Sequence, residues 1–246
     1  AVTQRTARVS VMAENNESGA LQPLKDAAAI AHAKGAWFHT DAVQAAGKVP
    51  FDVEALDVDF ASLSAHKIYG PKGAGALYVR KDRHTAIAAQ IDGGGHERGM
   101  RSGTFNVPGM VGFGRAAEIA RAEMADEAGR VMRLRDRLFE ALRATTEGMT
   151  VNGPLNTRLP GNLNLSFDDV DGEALLVSLD DVAVSSGAAC MQAEPSHVLM
   201  ALGLTKERAL ASLRFGIGRQ TTAADIDAAA QKVSDAVKRL RHLVQV

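Results

Sequence analysis

Residues 64–73 read Ser-Ala-His-Lys-Ile-Tyr-Gly-Pro-Lys-Gly and directly follow a strand-like run, 58–63. Gly70 and Gly73 flank a proline and favour a turn, so Lys67 lies just past the end of a strand. In an α/β protein, this carboxyl edge of the sheet is where side chains meet a ligand. The stretch therefore predicts an α/β layer with a site centred on Lys67.

Strands and helices alternate around this stretch. Apolar and β-branched runs predict strands over 8–12, 36–40, 58–63 and 75–80, with a helix over about 22–34. Such alternation predicts an α/β layer built on a largely parallel sheet.

The second half of the chain has a different pattern. A long helix is predicted over about 108–147, with an apolar stripe on one side and six arginines that we interpret as a solvated face. The stripe is Val131, Leu134, Leu138 and Leu142, and the arginines are 121, 130, 133, 135, 137 and 143. A small α+β unit should follow, with strands over 162–167, 182–184 and 212–217, a helix over 171–179, and a terminal helix that opens with a capping box, 222–225.

Composition limits the functional classes. The 246 residues are 46% hydrophobic, and 28 basic against 29 acidic side chains give a net charge of -1. This balance predicts no nucleic-acid partner, and the lack of an apolar run of about 18 to 20 residues predicts no membrane span. One cysteine, Cys190, excludes a disulfide within the chain. We expect a cytoplasmic protein.

Lys67 and Asp41 together indicate a covalent aldehyde cofactor. Pyridoxal 5'-phosphate (PLP) requires a lysine amine for a Schiff base and a carboxylate that keeps the pyridine nitrogen protonated. The strand-like run 37–40 delivers Asp41. If the chain turns there, Gln44 follows one helical turn later, and Gln44 and Asn16 can both reach the phenolic oxygen of the ring.

Six motifs, in order and with matching spacings, resemble those of cysteine desulfurases in the class V aminotransferase group of PLP-dependent fold type I enzymes. The motifs occupy residues 12–17, 39–44, 64–73, 93–104, 185–190 and 214–215. The resemblance implies an incomplete fold type I large domain over 1–123, mostly a parallel sheet with helices. A small α+β C-terminal domain, 124–246, would carry the cysteine loop.

The resemblance implies a catalytic set of Lys67, Cys190 and His66. Lys67 would join PLP covalently, and it or a neighbouring base would remove the Cα proton of L-cysteine. Cys190 would attack the substrate sulfur, which leaves L-alanine and a persulfide on the enzyme. A sulfur-acceptor protein, either an iron-sulfur scaffold or a tRNA-thiolation protein, would then receive the sulfur.

The resemblance also implies binding roles. Asp41 would pair with the ring nitrogen, and Arg214 would clamp the substrate carboxylate, which suits the bidentate geometry of guanidinium. Thr104 would reach the phosphate in the partner subunit of a homodimer. The cofactor-binding set is Asn16, Asp41, Gln44, Ser64, His66, Lys67 and Thr104, with Ser64 and His66 on the phosphate; the substrate-binding set is Asn16 and Arg214.

Two alternatives stay open at this point. One is a related PLP lyase or aminotransferase, for instance a selenocysteine lyase. The other is an inactive, truncated chain that acts only as a sulfur carrier or scaffold-binding protein, because the family carries a large N-terminal portion before the position of Ala1. A metal site is not expected, since only His39 and His66 among the seven histidines have suggestive contexts.

Overall fold

The computed structural model describes residues 1–186 and 194–244, and the chain divides into two compact units. Unit 1 comprises Ala1–Glu14 and Gln22–Met124, and unit 2 comprises Asn15–Leu21 and Ala125–Val246. The short segment Asn15–Leu21 therefore groups with residues that follow it by more than a hundred positions. None of the helices in the described residues is both long and apolar enough to cross a lipid bilayer.

Unit 1 is built on a four-stranded sheet in the order β1-β2-β3-β4. The strands are β1 Arg8–Met12, β2 Trp37–Asp41, β3 Phe60–Ser64 and β4 Gly75–Val79. The first three are parallel, and β4 runs antiparallel to β3. The prediction of an α/β layer with a mostly parallel sheet is confirmed.

The two faces of this sheet differ in character. Helix α1, Leu24–His32, buries Ala28 and Ala31 in an apolar cluster that includes Phe38 and Ala61 of the sheet. Because side chains alternate along a strand, the residues between these positions project from the opposite face. That face carries Ser10, His39, Asp41, Ser62 and Ser64.

Unit 2 contains a second four-stranded sheet, in the order β5-β6-β8-β7, with antiparallel pairing throughout. Its strands are β5 Met149–Val151, β6 Asn162–Phe167, β7 Ser185–Ser186 and β8 Ser212–Gly216. The helices are α2 Val107–Thr145, in which the boundary between the units falls, and α3 Gly172–Val177, α4 His197–Ala201, α5 Lys206–Leu210 and α6 Ala223–Val244.

The long helices of unit 2 pack as their periodicity predicts. Leu138 and Leu142 of α2 and Val237 of α6 are buried in one core with strand β6. At the start of α6, the Thr222 hydroxyl accepts the Asp225 N–H (3.2 Å) and the Asp225 carboxylate accepts the Thr222 N–H (2.9 Å). The predicted apolar stripe and capping box are both confirmed.

One prediction for this unit is wrong, and a second holds for only part of its residues. The strand expected over 182–184 is instead the two-residue β7, because Val182 and Val184 pack on the core without pairing to a neighbouring strand. The arginines of α2 are not all solvated. Arg135 is buried, and Arg130 donates to backbone carbonyls of the loop before α6, which need donors because the loop forms no regular structure.

Candidate functional site

The carboxyl ends of β2 and β3 bring Asp41 and Ser62 into parallel register. The exposed Asp41 carboxylate accepts a hydrogen bond from the Val43 N–H at 2.9 Å, which starts a turn. Gln44 lies within that turn, as the sequence predicted, and its Oε1 accepts from Lys48 Nζ at 2.8 Å. A carboxylate and an amide therefore lie close together along the chain at this edge.

Lys67 lies in a single 3-10 turn, Ala65–Ile68, that follows β3 directly. The turn ends at Tyr69, whose φ of 64° is left-handed and whose N–H bonds to the Ala65 carbonyl. Bulky residues rarely adopt this conformation, and such strain clusters at functional sites. The side chain of the half-buried Lys67 forms no hydrogen bond or ion pair with any described residue, so its amine is available to a ligand.

Ser64 and His66 form a pair at the start of this turn. The Ser64 hydroxyl and His66 Nδ1 are 2.8 Å apart, and the His66 side chain is exposed. A hydroxyl beside an imidazole offers two groups that can donate hydrogen bonds to an anion. The pair that the sequence assigned to a phosphate is thus preassembled in unit 1.

His39 joins the three parallel strands across the polar face. Its Nδ1 lies 2.7 Å from the Ser10 hydroxyl, and its Nε2 lies 2.9 Å from the Ser62 hydroxyl. Burial, and then the Arg8 charge, lower the pKa of His39, against an opposing effect of Asp41. The imidazole is therefore neutral at pH 7, with one nitrogen donating and the other accepting. The sequence marked this histidine without giving it a role.

The glycine-rich loop is held by its own hydrogen bonds. The Ser102 hydroxyl accepts the Gly95 N–H at 3.1 Å, and the Ser102 N–H donates to the Ile91 carbonyl at 3.0 Å. The His96 ring packs edge-on against Phe105 with centroids 5.4 Å apart. Thr104 is exposed on this loop.

Unit 2 holds the predicted substrate-binding pair, Asn16 and Arg214. Arg214 projects from β8, where Nε donates to the Ser185 hydroxyl at 3.1 Å and Nη1 donates to the Asn16 carbonyl at 2.9 Å. These bonds orient the guanidinium. The Asn16 side chain itself is exposed.

Sequence reasoning missed Glu17 and Ser196 in unit 2. Both side chains are buried, and the Glu17 carboxylate is hydrogen-bonded to the Ser196 hydroxyl. Glu17 belongs to the first of the six motifs, but its only sequence signal was its place beside Asn16, and Ser196 had no signal.

Cys190, the predicted nucleophile, lies outside the described residues, in the gap 187–193. Its flanks, Ser186 and Glu194, are described. Within the described ranges, no group of three or more His, Cys, Asp or Glu side chains is arranged to hold a metal ion.

Comparison with known proteins connects these features. Residues 1–229 match the aminotransferase class-V family. The chain belongs to this family. Enzymes of the family to which it is similar are PLP-dependent, and the chain is 55% identical over 245 residues to "Cysteine desulfurase IscS" of Anaeromyxobacter sp. (strain Fw109-5). The match covers 99% of this chain and 61% of the relative, so the chain spans about three fifths of that length.

Solved structures of family relatives have the same fold. A "NIFS-LIKE PROTEIN" matches with a TM-score of 0.87 and 39% identity, over 97% of this chain and 63% of that one. A second structure, "SspA in complex with cysteine", matches with a TM-score of 0.74 and 33% identity, over 90% of this chain and 62% of that one. The expectation of a fold type I PLP protein, shorter than its relatives, is confirmed.

The donor set of unit 1 fits PLP. Lys67 supplies an amine without a partner among the described residues, and Asp41 supplies an exposed carboxylate. Ser64 and His66 supply the hydroxyl and imidazole that a phosphate requires. These three kinds of group match the aldehyde, the ring nitrogen and the phosphate of the cofactor.

Proposed function

We propose that the protein is a cysteine desulfurase, which removes sulfur from L-cysteine and leaves L-alanine. The observation that carries the proposal is the Lys67 turn beside the Asp41 strand end, in a family whose compared relatives include a cysteine desulfurase. The related SspA structure holds cysteine, which supports the same substrate class. Neither alternative from the sequence has an observation in its favour.

The chain's residues would hold PLP as follows. Lys67 Nζ binds it covalently, Asp41 holds a proton on the ring nitrogen, and Ser64 and His66 bind the phosphate. Asn16 and Gln44 hold the phenolic oxygen. When bound, PLP supplies an electron sink that acidifies the Cα–H of the substrate.

The remaining steps belong to protein side chains. Arg214, oriented by Ser185 and the Asn16 carbonyl, binds the substrate carboxylate. Lys67 Nζ, once the substrate amine has displaced it, would take the Cα proton and return it when alanine forms, while the His66 imidazole stays at the phosphate. The Cys190 thiolate attacks the substrate sulfur, so an S–S bond forms as the Cβ–S bond breaks. Cβ takes up one proton overall and becomes the methyl group of alanine, and the persulfide stays on Cys190.

The two units would correspond to the two domains of a fold type I enzyme, with the large-domain part over 1–123 and the small domain over 124–246. The observed division places Asn15–Leu21 with the second unit. In this arrangement the small domain contributes Arg214 and the Cys190 segment, and Asn16 belongs to the segment that groups with it.

A homodimer and a sulfur acceptor complete the proposal. Thr104 is exposed, which suits a contact with the phosphate of a partner subunit. Phe105, Val107 and Val111, close by in the chain, are exposed apolar side chains that association would cover. The name IscS in the relatives supports an iron-sulfur scaffold as acceptor. We infer a cytoplasmic location, because a reducing compartment keeps the Cys190 thiol active.

An absorption spectrum of the purified protein with added PLP tests the cofactor assignment. The parent should develop the visible band of lysine-bound PLP, and Lys67→Ala should lose it. Lys72→Ala is the matched control, because Lys72 is exposed in the same motif and should keep the band. A band that persists unchanged in Lys67→Ala contradicts the assignment.

A second arm tests the sulfur chemistry. L-cysteine added to the loaded parent should yield alanine and sulfide in the presence of a thiol reductant. Cys190→Ala should keep the PLP band and lose sulfide release, because only the nucleophile is removed. Turnover retained by Cys190→Ala would assign the sulfur chemistry to another group.

A further inference from the structure

The segment Asn15–Leu21 is fastened to the sheet of unit 2 by buried amides. Asn164, at the centre of β6, donates from Nδ2 to the Glu17 carbonyl at 3.1 Å. Asn162 donates to the Asn16 carbonyl at 3.3 Å. Each bond satisfies a polar group that would be costly to bury alone, so the segment has a fixed position relative to β6 and β8.

The Glu17 carboxylate meets the start of α4. Glu17 is 6% exposed and Ser196 is 2% exposed. The Ser196 hydroxyl accepts the Leu199 N–H at 3.2 Å as the N-cap of α4, so its own proton points to the Glu17 carboxylate. Hydrogen bonds to charged groups are among the stronger ones, and a buried carboxylate that lost this donor would be poorly solvated.

Both flanks of the gap 187–193 are thereby bound to the same segment. On the earlier flank, Ser185 pairs with β8, and its hydroxyl accepts from Arg214 Nε. Arg214 Nη1 donates to the Asn16 carbonyl. On the later flank, Ser196 bonds to Glu17, the residue after Asn16. The connected path therefore runs Ser185, Arg214, Asn16, Glu17, Ser196.

We propose that Glu17 is a positioning residue that holds the later flank of the Cys190 segment against the support that also orients Arg214. The proposal rests on the proposed function for the roles of Cys190 and Arg214. Arg214 and both flanks of the Cys190 segment are then held by the same support. This limits the distance between the Cys190 thiol and a substrate bound by Arg214. Such restriction raises the rate of a reaction between two held groups.

The reactivity of the single cysteine tests this without PLP or substrate. Alkylation of Cys190 by iodoacetamide, followed by mass spectrometry, should be about tenfold faster in Glu17→Gln, because a weakened charged bond frees one flank. Ser196→Ala should give a similar increase. The double variant should be no faster than the faster single variant, since both remove one interaction.

Thr205→Ala is the matched control. The Thr205 hydroxyl caps α5 by accepting the Arg208 N–H at 3.3 Å, so the variant loses an N-cap without touching the Glu17 path. It should alkylate at the parent rate. If Glu17→Gln does not fold, the alkylation rates of Ser196→Ala and Thr205→Ala can be compared instead, and they test the same interaction.

The loaded enzyme gives an independent readout. Glu17→Gln should lower kcat for the formation of alanine from L-cysteine several-fold. It should change KM for L-cysteine by no more than about twofold, because the Asn16 main-chain carbonyl still holds Arg214. Parent-like alkylation in both single variants, or increases that add in the double variant, would overturn the proposal. A parent that makes no alanine refutes the proposed function instead, while the alkylation arm still decides the role of Glu17.

Discussion

Replacing Asp59 by asparagine should destabilise unit 1 by about 2–3 kcal/mol. The fully buried Asp59 carboxylate stands just before β3 and accepts three hydrogen bonds. They come from the Phe38 N–H at 2.7 Å, His32 Nε2 at 2.8 Å and Arg83 Nε at 3.1 Å. The bond to Phe38 joins β2 to the start of β3, the two strands that end at Asp41 and the Lys67 turn.

The magnitude follows from the geometry of the carboxylate. One oxygen faces Phe38 and His32, and the other faces Arg83. An asparagine must turn its NH₂ group toward donors whichever way it rotates. The less costly rotation keeps oxygen on Phe38 and His32 and loses the arginine bond, worth about 1.5–3 kcal/mol for a charged hydrogen bond. The variant also loses the attraction between the Asp59 charge and its cationic partners. Both losses are partly offset, because the variant no longer buries a charge.

Urea unfolding followed by Trp37 fluorescence measures the loss of stability in unit 1, which contains both Trp37 and Asp59. Trp37 is the single tryptophan, and its ring centroid lies 5.7 Å from that of Phe60. Asp57→Asn is the matched control. Asp57 also bonds to His32 but is 54% exposed, so this change should cost about 0–1 kcal/mol.

The cost of Asp59→Asn should depend on pH. Burial raises the pKa of Asp59, but hydrogen bonds from the Phe38 amide, His32 and Arg83 together outweigh it and hold the pKa below its ordinary value of 3.8. The stabilisation is therefore complete above pH 3.8 and is lost as pH falls through the folded-state pKa. The gap between parent and variant should narrow below pH 3.8. A cost no larger than that of Asp57→Asn, or a gap that does not narrow, would refute the reasoning.

Two further changes probe unit 2. Arg214→Lys keeps the charge, but a lysine cannot hold Ser185, Asn16 and a substrate carboxylate at once. In steady-state assays this variant should raise KM for L-cysteine about 10- to 100-fold, which corresponds to about 1.4–2.7 kcal/mol. An unchanged KM would show that Arg214 does not bind the substrate. Leu138→Ala leaves a cavity at a fully buried site between α2 and β6 and should lower the free energy of unfolding, followed by circular dichroism, by about 2–5 kcal/mol. The control Leu243→Ala changes a side chain that is 70% exposed and should lower it by less than about 0.5 kcal/mol. Equal losses in the two variants would contradict the assigned core.

Elements with a strong local pattern were predicted closely. Strand β6 has the predicted bounds, and α2 and α6 bury the positions that their periodicity marks. The short β5 and the one-turn helices α4 and α5 were not predicted, because segments of three to five residues carry too little periodicity. Strand order was also beyond the sequence, since alternation shows which side of a strand is buried but not which strand lies beside it.

The chain's local sequence determined the Lys67 turn, the Asp41 strand end and the turn that carries Gln44, because each depends on residues within a few positions. Only the tertiary structure decided that His39 joins Ser10 to Ser62, and that Glu17 is buried against Ser196, 179 positions away. A polar residue's burial depends on partners that the packing of a whole sheet brings to it. Local pattern cannot specify such partners, because the chain between them sets neither their distance nor their direction.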